Sequence, residues 1–166
     1  MHSSKPVLLG VVAVCVGVLG AALYLQLVEN MLPCPLCVLQ RYAFIAIGLF
    51  CLIGAAMPRG TRRISIGLAT ASAFTGIGIA ANHLHVLANP GLSCGIDPLE
   101  TGLNKIFLAK WWPTMFRADG MCETPYAPTL GLSLPAWAML SFVVITLTLL
   151  FLFFTREKTG MFGKHR

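Results

Sequence analysis

The chain has 166 residues, of which 57% are hydrophobic and only 11% charged, with a net charge of +6 and a mean hydropathy of +0.79. Soluble domains carry about 25% charged residues, so the composition excludes an ordinary soluble protein and predicts one integral membrane domain over residues 1–166. Net basicity alone would suit nucleic acid, but the bases lie in short loops and a tail, where they report orientation in a bilayer, and no nucleic-acid partner is expected.

A helix needs roughly 20 apolar residues to cross about 30 Å of hydrocarbon. Four stretches qualify: 7–28, 38–57, 64–84 and 134–154, with Arg41 at the edge of the second. Helices satisfy their own backbone polar groups inside lipid, so the predicted fold is an all-α bundle of four transmembrane helices. "GAA" at Gly20–Ala22 resembles a signal-peptide cleavage site. The apolar core around it is about 22 residues, whereas signal cores are about 7–15, so the segment is expected to remain as a span.

Orientation follows from the loops. Lys5, the turn "PRGTRR" (Arg59, Arg62, Arg63) and the tail (Arg156, Lys158, Lys164, Arg166) share one side with a single acid, Glu157. The other side carries Arg41, Lys105, Lys110 and Arg117 against Glu29, Asp97, Glu100, Asp119 and Glu123. The positive-inside rule then predicts a multi-pass membrane protein with both termini cytoplasmic. Two loops face outward, about 29–37 and 85–133. Within the second, "NKIFLAKWWPTMFR" mixes Ile106, Phe107, Met115 and Phe116 with Lys110. This pattern predicts a short interfacial helix with Trp111 and Trp112 at headgroup depth, ended or kinked by Pro113.

Of six cysteines, Cys15 and Cys51 fall inside spans and read as small packing residues. Cys34, Cys37, Cys94 and Cys122 all fall on the outward, oxidising side. Topology was assigned from Lys and Arg alone, so this clustering is an independent observation. Zinc would call for a second close pair or histidines at ligand spacing, and no metal is expected. Passive disulfides remain open, above all for the widely spaced Cys94 and Cys122. A CxxC bridge closes so small a loop that it constrains the unfolded chain little, which suits redox chemistry better than stapling.

In "LPCPLCVLQRY", Pro35 disfavours helical dihedrals at Cys34 and is itself suited to the first helical position. The second span is therefore expected to start near Pro35, with Cys37 in its first turn. Helix N-termini carry partial positive charge, and Arg41 lies at i+4 from Cys37 on the same face. Both effects favour thiolate over thiol at Cys37. Cys34, one step outside the helix, is expected to be the more accessible of the two. An arginine at membrane depth beside a thiolate suits a bound electron acceptor, such as a quinone carbonyl that accepts its hydrogen bonds. His83, expected near the outward end of the third span, is a candidate for hydrogen bonding or proton transfer there.

With "CPLCVLQR" after a first span, "KWWPTMFRADGMC" in a long outward loop and "LGLSLPAW" before the fourth span, nearly the whole chain resembles the DsbB family of inner-membrane thiol:quinone oxidoreductases. The resemblance implies redox-active disulfides Cys34–Cys37 and Cys94–Cys122. A soluble periplasmic DsbA-like dithiol protein would attack Cys94. Cys34–Cys37 would reoxidise the loop pair through a transient Cys34–Cys94 bridge. Electrons would leave from Cys37 to ubiquinone or menaquinone held near Arg41, with His83 assisting. The alternatives are an enzyme similar to vitamin K epoxide reductase, and a structural or assembly subunit with two passive disulfides.

Overall fold

The computed structural model describes residues 4–89, 96–120, 122 and 131–161; of residues 59, 96–100 and 156–161 only the backbone is described. Four long helices dominate it: α1 (Ser4–Val28), α2 (Pro35–Ala56), α3 (Arg59–Ala88) and α7 (Leu134–Met161). All four contain stretches long and apolar enough to cross a membrane. Among the described residues the second loop carries three short helices, α4 (Ile96–Lys105), α5 (Phe107–Trp111) and α6 (Pro113–Phe116), where one was expected. The break between the last two falls at Trp112, because Pro113 has no N–H to continue a helix and opens the next one.

Local chemistry sets the helix ends. Asn30 adopts φ 54°, and the Met31 N–H reaches back to the Leu25 carbonyl at 3.4 Å, so α1 ends in a left-handed turn that asparagine tolerates. Pro35 occupies the start of α2 as expected. The third helix runs one turn further than its hydropathy suggests, to Ala88, since His83 and His85 lower hydropathy without breaking a helix.

α2 packs against α1 and α3, and α3 against α7, while α1 and α7 meet only slightly. The common core holds Leu8, Cys15, Phe44, Ile47, Cys51, Ile66, Phe142 and Leu149. Cys15 and Cys51 are buried free thiols there, which fits their reading as packing residues. Phe44 stacks on Phe142 with centroids 4.0 Å apart and rings 12° from parallel. Gly76 lets α7 approach this closely, because a Cβ there would run into the Phe142 ring. Threonine hydroxyls in the bundle bond the carbonyl one turn earlier, as Thr70 does to Ile66 at 2.8 Å and Thr146 to Phe142 at 2.7 Å, so these donors are satisfied within their own helices. The outer faces expose Leu9, Val16, Leu52, Leu68, Leu147 and Phe151, the surface a bilayer would cover.

At the turn between α2 and α3, Arg62 is 7% exposed and donates Nε to the Gly54 carbonyl at 2.9 Å and Nη2 to the Met57 carbonyl at 3.1 Å. These carbonyls terminate α2, where a cation complements the helix dipole. The opposite end of α2 carries the cysteines.

Candidate functional site

Cys34 caps α2: its sulfur accepts the Cys37 backbone N–H at 3.2 Å. The same geometry brings the two sulfurs to 2.9 Å, with Cys34 as donor to Cys37. Both are free thiols. That hydrogen bond to Cys37 and burial together push the Cys34 thiol well above its ordinary range. The two residues thus bond reciprocally: the Cys34 S–H faces the Cys37 sulfur, and the Cys37 N–H faces the Cys34 sulfur.

Cys34 was expected to be the more accessible thiol, and the reverse holds. Cys34 is 2% exposed, whereas Cys37 is half-buried. The reason lies in the second loop. Backbone N–H groups of Asp119 and Gly120 both donate to the Pro33 carbonyl at 3.1 Å, which draws the segment after α6 over the first loop. Cys34 then packs with Leu36, Val86 and Cys122. Gly120 is required at this contact, because a Cβ would collide with the Leu32 carbonyl oxygen. Asn104 fixes the same segment from the other side, donating to the Ala118 carbonyl and accepting the Ala118 N–H, both at 3.0 Å.

His83 lies five residues before the end of α3, near the helix end as expected, and is 5% exposed, with its Nε2 3.7 Å from Cys34 Sγ and its Nδ1 3.4 Å from Gln40 Nε2. With the Gln40 amide donating to Nδ1, the neutral ring carries its proton on Nε2, toward Cys34. The ring also hydrogen bonds the Cys122 backbone. His83 thus stands between the CxxC and the loop cysteine. Cys122 is disulfide-bonded; Cys94, its expected partner, lies outside the described residues.

Arg41 is 6% exposed and donates Nη1 to the carbonyls of Thr114 and Met115, at 3.3 and 3.1 Å. It pins α6 onto the bundle, a task its sequence position did not reveal. No carboxylate among the described residues pairs with it. A buried guanidinium without a counter-ion is costly, and the Cys37 thiol lines the same cavity as Arg41.

Cys37, Arg41, Gln40, His83 and Cys122 line one end of a cavity of about 360 Å³. The remaining wall is mostly apolar, with Val18, Ala22 and Leu25 of α1, Phe44 of α2, and Leu134 and Ala138 of α7, beside Ser133 and Ser141. The cavity occupies the gap between α1 and α7, and its volume lies within the range of small-molecule sites. Local spacing could place Cys37 and Arg41 on one helix face. Gln40, Asn104 and Gly120 carried no signal beyond an amide in an apolar span, an asparagine after a turn of helix and a glycine before a cysteine.

Fold and site together define a multi-pass membrane protein with a thiol pair at a helix head, set on an apolar cavity beside a buried arginine. The sequence model of the family "Disulfide bond formation protein DsbB" matches residues 4–152. A "Disulfide bond formation protein B" of Herminiimonas arsenicoxydans is 52% identical over 157 residues, covering 95% of this chain and 99% of the relative. Proteins of the same name from Ralstonia nicotianae (44% identical, 94% of this chain, 98% of the relative) and, as "Disulfide bond formation protein B 1", Pseudomonas entomophila (50%, 84% and 83%) agree. The chain belongs to the DsbB family, whose name assigns it to disulfide bond formation.

Proposed function

We propose that this chain reoxidises a soluble, periplasmic DsbA-like dithiol protein and delivers the electrons to ubiquinone or menaquinone in the bacterial inner membrane. The observation that carries the reading is that the half-exposed sulfur of Cys37 and the guanidinium of Arg41 share one apolar cavity between α1 and α7. The positive-inside pattern supports an orientation with both termini cytoplasmic and the cysteines periplasmic.

The thiol steps balance as disulfide exchanges. A thiolate of the partner attacks Cys94 of a Cys94–Cys122 disulfide, and its second thiol completes the partner's disulfide, leaving the loop pair reduced. Cys94 then attacks Cys34 of a Cys34–Cys37 disulfide, and Cys37 leaves as thiolate. Cys122 resolves the Cys34–Cys94 bridge, restoring the loop disulfide and leaving Cys34 and Cys37 reduced. The burial of Cys34 means that the loop must lift from Pro33 for this attack. His83 Nε2 is placed to hold a proton against Cys34 as that sulfur becomes a leaving group.

The cavity fits a quinone: its walls are mostly apolar, and it offers a sulfur and a guanidinium. Arg41 Nε and Nη2, which bond no backbone carbonyl among the described residues, would hold a quinone oxygen. A bound quinone supplies a two-electron, two-proton acceptor outside the thiol pool, which net disulfide formation requires because DsbA-type proteins are strong oxidants, near −120 mV. The remaining task falls to the walls, which exclude water from the Cys37 thiolate.

Purified protein given a reduced DsbA-like partner is expected to reduce a quinone analogue, one analogue per dithiol consumed. Absence of turnover with all four outward cysteines intact would sink the proposal.

A further inference from the structure

We infer that the reduced CxxC, together with His83, is a binding site for a thiophilic divalent cation, Zn²⁺ in the first instance, which locks the pair in the dithiol form. Cys34 Sγ, Cys37 Sγ and a His83 ring nitrogen all lie within 4.8 Å of one another. Zinc bonds sulfur at about 2.3 Å and imidazole nitrogen at about 2.0–2.1 Å. Tetrahedral angles then set sulfur–nitrogen separations of about 3.6 Å and sulfur–sulfur separations of about 3.8 Å. Cys34 Sγ and His83 Nε2 already stand 3.7 Å apart. The two sulfurs, at 2.9 Å, must open by just under an ångström. Cys37 has room for this rotation, because it faces the cavity.

The outer partner is present as well. Metal-bound histidines direct their second ring nitrogen to a hydrogen-bond acceptor, which fixes the tautomer. Here Gln40 is 3.4 Å from His83 Nδ1. Turning over its amide presents Oε1 to an Nδ1–H and leaves Nε2 free to ligate. Cys122 is committed to its disulfide, so the protein supplies three ligands, and the fourth position faces the cavity, where water completes the shell. Two thiols and one Zn²⁺ combine with release of two protons and no change of oxidation state. Once Cys34 and Cys37 are joined as a disulfide, neither sulfur is a thiolate and the set is lost. Zinc and the disulfide are therefore mutually exclusive occupants. This geometry stands whether or not quinone is the acceptor.

The test is Zn²⁺ binding to the full-length chain in detergent, with Cys94→Ser and Cys122→Ser so that the helix-head pair alone titrates on that side. One Zn²⁺ per reduced chain, none after oxidation of the pair, and at least about tenfold weaker binding in His83→Asn are expected. Bound zinc should also shield Cys34 and Cys37 from alkylation. Co²⁺ on the same chain with His83 intact should give tetrahedral thiolate bands, so the site can be tested without relying on the folding of the histidine variant. No uptake by the reduced chain, uptake indifferent to oxidation or to His83→Asn, or an octahedral cobalt spectrum would each overturn the site. Because the readout is binding, its failure leaves the quinone proposal standing, and the converse holds too.

Discussion

Arg41 and Arg62 lie toward opposite ends of the bundle, and both are buried to nearly the same degree. Both donate to carbonyls at or near a helix C-terminus. Arg62 commits two different nitrogens to the last turn of α2 and the residue that caps it. Arg41 commits a single nitrogen to two carbonyls of α6, and it stands at a cavity wall beside a thiol. A buried arginine is therefore no signature of function in itself. What distinguishes Arg41 is donor capacity left over next to a space that a ligand can enter.

The sharpest test removes the thiol that makes Arg41 different. Cys37→Ser should abolish quinone reduction while leaving the fold intact, because serine can neither form the disulfide nor carry the thiolate; residual turnover would break the contrast between the two ends. Arg41→Ala should raise the apparent KM for quinone by about ten- to a hundredfold, the equivalent of about 1.5–3 kcal/mol for a charged hydrogen bond. Arg41→Lys should recover only part of it, since the fork is lost. An unchanged KM in Arg41→Ala would reduce Arg41 to a second Arg62. Arg62→Ala should cost about 1–3 kcal/mol of stability by orphaning the α2 carbonyls, seen as a lower Tm, with the quinone KM unmoved. Gly120→Ala should cost about 1–3 kcal/mol through the clash with Leu32. It should also expose Cys34 to alkylation, as measured by labelling rate. Asn104→Ala removes two hydrogen bonds, each worth about 0.5–1.5 kcal/mol, and should loosen the same loop without altering labelling at Cys15.

Much of one end of this comparison was legible in the sequence. Proline chemistry placed the start of α2, and helical spacing set Arg41 one turn below Cys37. The order of spans and loops grouped Cys34, Cys37 and Cys122 at one end of the bundle, where they pack together. The rest depends on contacts between distant parts of the chain. The burial of Cys34 comes from two N–H groups in the second loop meeting a carbonyl in the first. The anchoring role of Arg41 comes from α6, and the reach of His83 to Cys34 from the packing of α3 on α2. None of these has a periodicity, because each joins a loop or side chain to a partner decided only when the helices assemble. The capping of α2 by Arg62 likewise depended on the turn folding back.

The junction at Pro33 has a bearing on how this chain can vary. Two donors converge on one main-chain oxygen, and every residue type supplies that oxygen. Position 33 can therefore drift in side chain without loosening the clasp, whereas position 120 admits glycine alone. Substitution at 120 should be the scarcer event among relatives, although the residue touches no sulfur and carries no chemistry of its own.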